Sequence, residues 1–325
     1  MPKHVLGFLI GCIAYTRSVR RKYIIGIILA ISLVAGGLYM FLGRSKPAAI
    51  QQQSTKQDTE PSYSVSKDIT YCSPQGVDQK LDIYTPKNAG DSTPIIIHVH
   101  GGSWTSGQKS DYNMLPYLES LVNAGFIVAS VNYRLAPTYT FPAQIQDVKC
   151  AVRFLRASAK LYHIDTNNIG MIGESAGGHL AALTGTAQNT ADFETNELAG
   201  VSDKVKAVVD LFGPANLVSY VQDEPIVSGG IKEFLGSYNP VLASPTHYVS
   251  ATSVPFSIIH GDSDIVVPFS QSQELHDTLL KAGATSTLTK VVNAGHGLTL
   301  MRSGDLSPSI EQIQTDAIAF FKKFL

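Results

Sequence analysis

Residues 169–186, IGMIGESAGGHLAALTGT, decide the reading of this chain. Ile169–Ile172 is a short β-branched strand, and Ala176–Thr186 has the small and apolar composition of a buried helix. Between them lies Gly173-Glu-Ser-Ala-Gly177, a G-x-S-x-G sequence placed on a strand-to-helix turn. Such a turn pushes the middle serine into the open. It also brings the residues two before and two after so close that neither tolerates a side chain. Ser175 is therefore the candidate nucleophile. The competing reading is a glycine-rich helix start that cradles a phosphate. The strand before and the helix after the motif favour the nucleophile.

Working outward, strands and helices alternate. Strands are expected at 69–71, 81–84, 94–100, 126–131, 169–172, 205–212, 255–259 and 287–292. Helices are expected at 111–124, 144–161, 176–186, 271–282 and 310–324. The run PIIIHVH over 94–100 is β-branched without alternation, as in a strand buried on both faces. This order predicts an α/β fold: a mostly parallel central sheet with helices on both faces, and antiparallel strands at one edge. Residues 213–253, with four prolines and paired glycines, break the rhythm and are expected to form a short cap-like insertion over the strand ends.

Sites in open α/β sheets form beyond the carboxyl ends of the strands. Besides Ser175, three segments fall there. His100-Gly-Gly-Ser-Trp104 follows a strand, and its glycines leave backbone N–H groups unscreened. The N–H groups of Gly102 and Ser103, with that of Ala176, are the candidate oxyanion hole. His100 is expected to brace this loop, not to act as a base. His260-Gly-Asp-Ser-Asp-Ile-Val-Val-Pro268 offers two acids, Asp262 and Asp264. Gly295-His296-Gly297 supplies the base: of nine histidines, His296 alone lies in a glycine-flanked loop after a strand. The chain order serine, aspartate, histidine fits a triad in which the acid holds the imidazole tautomer.

In order along the chain, HVHGGSW, VNYRLAP, FPAQIQDV, IGESAGGHLAA and HGDSDIVVP resemble the α/β-hydrolase esterases. The similarity is to hormone-sensitive-lipase-like carboxylesterases and to the group containing bifunctional feruloyl and acetyl-xylan esterases, and it extends over residues 65–325. The resemblance implies an α/β-hydrolase fold and a serine hydrolase cleaving carboxylic esters through an acyl-enzyme, with short or aromatic acyl groups. It makes Asp264 the catalytic acid and leaves Asp262 to cap the loop. It also implies that Tyr133–Pro137 and Asp147 brace the oxyanion loop. The third position of the family's H-G-G-G loop is Ser103 here, whose N–H remains available. Alternatives are a kynurenine-formamidase-like or peptidase-type serine hydrolase, or a surface-anchored hydrolase-like protein without catalysis; the complete triad argues against the last.

No HExxH, Cys/His cluster or phosphate loop points to a metal or nucleotide, and the mechanism requires no cofactor. The expected partner is a small-molecule ester, acylated saccharides included. Trp104, Tyr133, Tyr139, Phe212, Tyr220 and Phe269 are candidates to line the pocket, against the ordinary reading that each belongs to the core.

The N-terminus suggests a destination. Residues 23–43, YIIGIILAISLVAGGLYMFLG, carry no charge and as a helix would span ~31 Å, about one hydrocarbon core. Arg17, Arg20, Arg21 and Lys22 precede the run. This predicts a cytoplasmic basic segment over 1–22, a transmembrane helix or signal anchor over 23–43, a flexible tether over 44–66 and an extracytoplasmic catalytic domain over 67–325. A signal cleaved near Ala35-Gly36-Gly37 would equally export the body. Beyond residue 43 the chain holds 20 basic against 26 acidic residues, which disfavours nucleic acid as a partner. Of three cysteines, Cys72 and Cys150 lie in the exported body, where pairing is open. Cys150, in the helical pattern DVKCAVRFL, is expected to pack as a small apolar side chain.

Overall fold

A computed structural model describes residues 62–111, 114–188, 190–223 and 228–325. The segments read as a basic N-terminus and membrane span lie outside the described residues. Eight strands form one sheet: β1 (Tyr63–Cys72), β2 (Gln79–Pro86), β3 (Thr93–Val99), β4 (Ile127–Val131), β5 (Ile164–Glu174), β6 (Ala207–Leu211), β7 (Phe256–Gly261) and β8 (Ser286–Val291). Their order is β1-β2-β4-β3-β5-β6-β7-β8. β1 pairs antiparallel with β2, and β2 with β4; every later pairing is parallel. This is the α/β-hydrolase fold, with the antiparallel edge expected from the opening strand pair.

The helices are α1 (Leu115–Asn123), α2 (Ala143–Ala157), α3 (Ala159–Tyr162), α4 (Ala176–Thr186), α5 (Leu217–Asp223), α6 (Ser228–Leu235), α7 (Pro245–Tyr248), α8 (Phe269–Lys281) and α9 (Ile310–Phe324). Period-two alternation along the buried strands sends side chains to two cores. Ile95, Ile97 and Val99 of β3 join Ile145, Val152, Leu180 and Leu275 on the face covered by α2, α4 and α8. Ile96 joins Leu118, Leu121, Ile313 and Phe321 on the face covered by α1 and α9. Helix α9 buries Ile313, Ala317 and Phe321, one stripe at helical spacing, and the Ser309 side chain caps it by accepting the Gln312 N–H. Helix α4 is buried on every side, which explains its lack of any polar stripe.

Three expectations need correction. The polar sequence predicts a tether running to residue 66, but β1 begins at Tyr63, which pairs with Pro86. The Tyr63 ring packs on Tyr84 and its hydroxyl donates to Glu119 at 2.8 Å, so tertiary contacts order a stretch that is polar in sequence. Second, Cys150 is not a free packed thiol. It is bonded to Cys72 with Cα atoms 6.5 Å apart, because the end of β1 lies over α2. Third, the described part of the 213–253 insertion does more than cover strand ends. Ala215, Leu217, Tyr220, Ile231, Phe234 and Ala243 are buried in the α4-side core, and Phe234 stacks on Trp104 with ring centroids 4.2 Å apart.

The bridge closes a 78-residue separation and ties the edge strand to the body. Closing loops of this size typically stabilises a fold by about 2–4 kcal/mol. The Cys72→Ser/Cys150→Ser protein is therefore expected to fold but to unfold at a lower urea concentration, with a slope equal to or steeper than the parent's because its unfolded chain is less constrained. An unchanged midpoint would show the bridge to be without energetic effect.

Candidate active site

Sheet register assembles the site. Val99 is the partner of Gly173 across β3 and β5, so the loop after β3 and the turn after β5 leave the sheet side by side. Ser175 adopts φ 54° and ψ −118°, a strained backbone for a side-chain-bearing residue. A Cβ on Gly177 would strike the Val99 carbonyl, and one on Gly173 would strike the Gly177 carbonyl. The Ser175 N–H donates to Leu211 O at 2.9 Å, pinning the turn to β6.

Beyond β7 and β8, Asp264 and His296 meet Ser175. His296 Nε2 lies 3.0 Å from Ser175 Oγ, and His296 Nδ1 lies 2.8 Å from Asp264 Oδ2. Asp264 Oδ1 accepts the N–H groups of Val266 and Val267 at 2.8 and 3.0 Å. Burial pushes the Asp264 carboxyl up, but hydrogen bonds from His260 and His296 and the Val266 N–H outweigh it and hold the group well below the usual carboxylate range. It is a fixed anion facing the imidazole. Asp262 is exposed and, among the described residues, its carboxylate accepts only the neighbouring Ser263 hydroxyl. The loop-capping role expected of Asp262 thus belongs to Asp264, which turns the loop with one oxygen and orients His296 with the other.

Gly102 has φ +108° and Ser103 φ +53°, and neither N–H has a hydrogen-bond partner among the described residues. Ala176 opens α4, where the first N–H groups of a helix are free. All three candidate oxyanion donors therefore present unspent N–H groups around Ser175. The loop carrying the first two is held firmly. The Tyr133 hydroxyl donates to His100 O at 2.9 Å, and the Ala136 N–H donates to Trp104 O at 2.9 Å. Arg134 grips Asp147 through both its backbone N–H and its guanidinium, each at 2.8 Å. His100 stacks on Tyr133, and its Nδ1 lies 2.7 Å from Gly101 O. Burial pushes the His100 pKa down, so it braces the loop as a neutral ring. Trp104 donates to His179 Nδ1 at 3.2 Å, and His179 donates onward from Nε2 to Ala243 O at 2.8 Å. Burial lowers the His179 pKa to about 4, which keeps Nδ1 an acceptor.

A cavity of about 710 Å³ opens over Ser175, lined by Gly101–Ser103, Ser106, Met114, Tyr117, Phe212, Val266 and the 296–299 loop. Of the aromatic residues put forward as pocket lining, Phe212 alone reaches it. Trp104 and Tyr133 are turned inward as supports, and Tyr220 and Phe269 pack elsewhere. Two residues at the site went unread in the sequence. Glu174 lines the cavity and accepts the Gly101 N–H at 2.8 Å. Asp210 is buried in β6, where Oδ1 accepts the Gly213 N–H at 2.9 Å and Oδ2 has no partner among the described residues. Among the described residues, the side chains close enough to share a metal ion are Cys72, Cys150 and Glu197, and both sulfurs are already spent in the bridge.

An α/β-hydrolase sheet carrying a serine, histidine and aspartate in hydrogen-bonded series defines the class of protein. The BD-FAE family model matches residues 81–279, and the chain belongs to that family. Esterase LipQ of Mycobacterium tuberculosis is 32% identical over 245 residues, which cover 72% of this chain and 58% of LipQ. Isoprenylcysteine alpha-carbonyl methylesterase ICME of Arabidopsis thaliana is 28% identical over 223 residues, covering 64% of this chain and 51% of that protein. The chain thus spans little more than half the length of these curated relatives. Among solved structures, a truncated carbohydrate esterase from gut microbiota superposes with a TM-score of 0.71 at 31% identity, over 82% of this chain and 98% of its own. Esterase 2 of Thermogutta terrifontis with propionate bound superposes at 0.68 and 28% identity, over 81% and 94%.

Asp210 generates a prediction. Burial raises its pKa to about 6, against the pull of the Gly213 N–H. The folded state therefore holds a proton that the unfolded state has lost, and stability falls as pH rises from about 4 to about 6, by up to about 3 kcal/mol. Asp264 works in the opposite sense: its contribution is present above the ordinary carboxylate range and lost as pH falls. Asp210→Asn keeps an oxygen for Gly213 and cannot ionise. It is expected to raise the urea midpoint at pH 7.5 while leaving it nearly unchanged at pH 4. Equal shifts at both pH values would contradict the assignment.

Proposed function

We propose that this protein is a serine hydrolase of carboxylic esters, with Ser175 as nucleophile, His296 as general base and acid, and Asp264 as orienting anion. The single observation that carries this reading is the unbroken series Ser175 Oγ, His296, Asp264 at 3.0 and 2.8 Å. Ser175 Oγ attacks the acyl carbon as its proton passes to His296 Nε2. The carbonyl oxygen becomes an anion received by the N–H groups of Gly102, Ser103 and Ala176. His296 then returns the proton to the departing alkoxide, leaving Ser175 acylated. Water, deprotonated by the same imidazole, attacks the acyl carbon; the imidazolium returns that proton to Ser175 Oγ as the C–O bond breaks, releasing the acid and restoring the serine. Through the cycle Asp264 stabilises the imidazolium and fixes its tautomer.

The cavity favours a small ester with a short or compact aromatic acyl group, because Phe212, Met114, Val266 and Leu298 give it apolar walls beside polar glycine and serine backbone. The propionate-bound Thermogutta esterase supports a short acyl group, and the gut carbohydrate esterase supports an acylated saccharide as the ester's source. We further propose that the catalytic body lies outside the cytoplasm, on a single N-terminal span over 23–43 or free after its cleavage. The basic residues before the span and the Cys72–Cys150 bridge, which suits an oxidising compartment, support this. Among the described residues no helix is long and apolar enough to cross a membrane.

Ser175→Ala is expected to keep the fold and lose ~10⁴–10⁶-fold in kcat on a p-nitrophenyl ester, together with labelling by an organophosphonate. Asp264→Asn should cost on the order of 10⁴-fold, whereas Asp262→Asn should stay within a few-fold of the parent. Undiminished turnover by folded Ser175→Ala would place the chemistry elsewhere. Protease added to intact cells should remove the body; digestion only after lysis would refute the exported orientation.

A further inference from the structure

The turn residue before the nucleophile is not a spacer. Glu174 uses both oxygens. Oε1 accepts the Gly101 N–H at 2.8 Å, and Oε2 lies 2.9 Å from His98 Nε2. His98 is 1% exposed in β3. Its other nitrogen, Nδ1, lies 2.8 Å from Ser130 Oγ, and that hydroxyl is 2.7 Å from the Lys109 carbonyl.

Counting hydrogens along this series fixes its protonation. Ser130 has one hydrogen, and the Lys109 carbonyl can only accept, so the hydroxyl donates to Lys109. Ser130 then has only lone pairs for His98, and Nδ1 must carry a hydrogen. The short Nε2–Oε2 contact needs a hydrogen as well, on the nitrogen or on the carboxyl oxygen. In either case His98 and Glu174 together hold one proton between Nε2 and Oε2 and carry no net charge. Without it two lone pairs would face each other in a buried site. The charged or titratable groups around the series are His100, Tyr133, Asp111, Lys109 and His296, which shares the cavity lining with Glu174. None of them balances a bare Glu174: burial keeps His100 neutral, the Lys109 ammonium is taken by Asp68 and Asp82 at 2.9 and 2.8 Å, and His296 is paired with Asp264.

We propose that His98 and Glu174 form a net-neutral, one-proton pair that positions the oxyanion loop. The pair rests on the esterase reading above. It has two consequences for that chemistry. By taking the Gly101 N–H, Glu174 fixes the peptide that leads into Gly102 and Ser103, so the next two N–H groups are free to turn on the substrate oxygen. By holding a proton, the pair removes a full negative charge from beside the place where the oxyanion forms. An uncompensated carboxylate at that wall of the cavity would repel the transition state and not the neutral ground-state ester, so its effect falls on kcat and not KM.

The test separates charge from shape. Glu174→Gln is isosteric and neutral: its oxygen accepts the Gly101 N–H, and its amide donates to His98 Nε2. Its kcat is expected to fall, but by less than about tenfold, because both hydrogen bonds are kept and no charge is added. His98→Ala leaves the carboxylate without its proton partner and should lower kcat at least tenfold with KM little changed. His98→Ala/Glu174→Gln removes that charge again and should recover most of the loss. A double variant as impaired as His98→Ala would overturn the proposal, as would a Glu174→Gln protein impaired more than tenfold. A purely structural role predicts either of those results. Should His98→Ala not fold, nitrogen-15 spectra of the Glu174→Gln protein decide independently of turnover: His98 must appear as the neutral Nδ1–H tautomer, and a protonated Nε2 would refute the count. An inactive parent protein with that tautomer present would sink the esterase reading while leaving the pair standing.

Discussion

The close approach of α4 to the ends of β3 and β5 is the constraint on which the rest of the site depends. Gly177 packs against the Val99 carbonyl with no room for a Cβ, and Gly173 against Gly177. Because Val99 and Gly173 are also partners in the sheet, the nucleophile turn and the oxyanion loop share one anchor point. The strain at Ser175 is offset by the burial of α4 on all sides and by the bond from the Ser175 N–H to β6. Asp264 and His296 are brought in by the same device one strand pair further on. Gly261 pairs with Val291, and the Asp262 and Ser263 N–H groups donate to Val291 and Ala294 O at 2.9 Å each. The four segments that follow β3, β5, β7 and β8 therefore converge because the strand registers are fixed, not because any loop is rigid alone.

Buried polar groups around the site divide into those that keep a charge and those that are kept neutral. Asp264 is hydrogen-bonded on both oxygens and remains an anion. His100 and His179 are driven neutral by burial, each serving as a hinge pin: one under the oxyanion loop, the other joining Trp104 to the segment before α7. Asp210, with one oxygen unpartnered, sits at a cost to stability that grows with pH. Charge is admitted where the imidazolium forms and excluded nearly everywhere else nearby, as a site that must stabilise a transient anion requires.

Much of this was legible in the sequence because the chemistry sits in short segments at strand ends. The glycine spacing around Ser175, the second acid of HGDSDIVVP and the glycine-flanked His296 each carry their own local signature, and the structure brings all three together. The strand and helix order was readable from periodicity, with β1 and β5 longer than drawn because pairing extends strands into polar sequence. What escaped depends on contacts between distant segments. Nothing local in DVKCAVRFL shows that α2 meets the end of β1, so the sequence leaves the pairing of Cys150 with Cys72 open and favours a packed thiol instead. Trp104 looked like a pocket residue because of its position after HGGS, yet its indole N–H finds His179 and its ring finds Phe234. Glu174 was hidden by its motif, where the position between glycine and serine reads as variable.

The same electrostatic division bears on what the cavity receives. Its charged lining consists of Asp111 and Glu174, with no lysine or arginine among the described lining residues. An acyl group or alcohol bearing a carboxylate or sulfate would find no counter-ion there and would lose its hydration on entry. A neutral ester loses little hydration and meets Phe212, Met114 and Val266 along apolar walls. With Glu174 neutralised by His98, the field at Ser175 is set by the three backbone N–H groups and by the Asp264–His296 dipole. The first favours negative charge on the substrate oxygen, and the second favours positive charge on the imidazole. In the proposed ester hydrolysis both charges are absent from the resting ester and would appear together only as Ser175 adds to it, so the site's polar groups would act on the transition state and its apolar walls on the substrate.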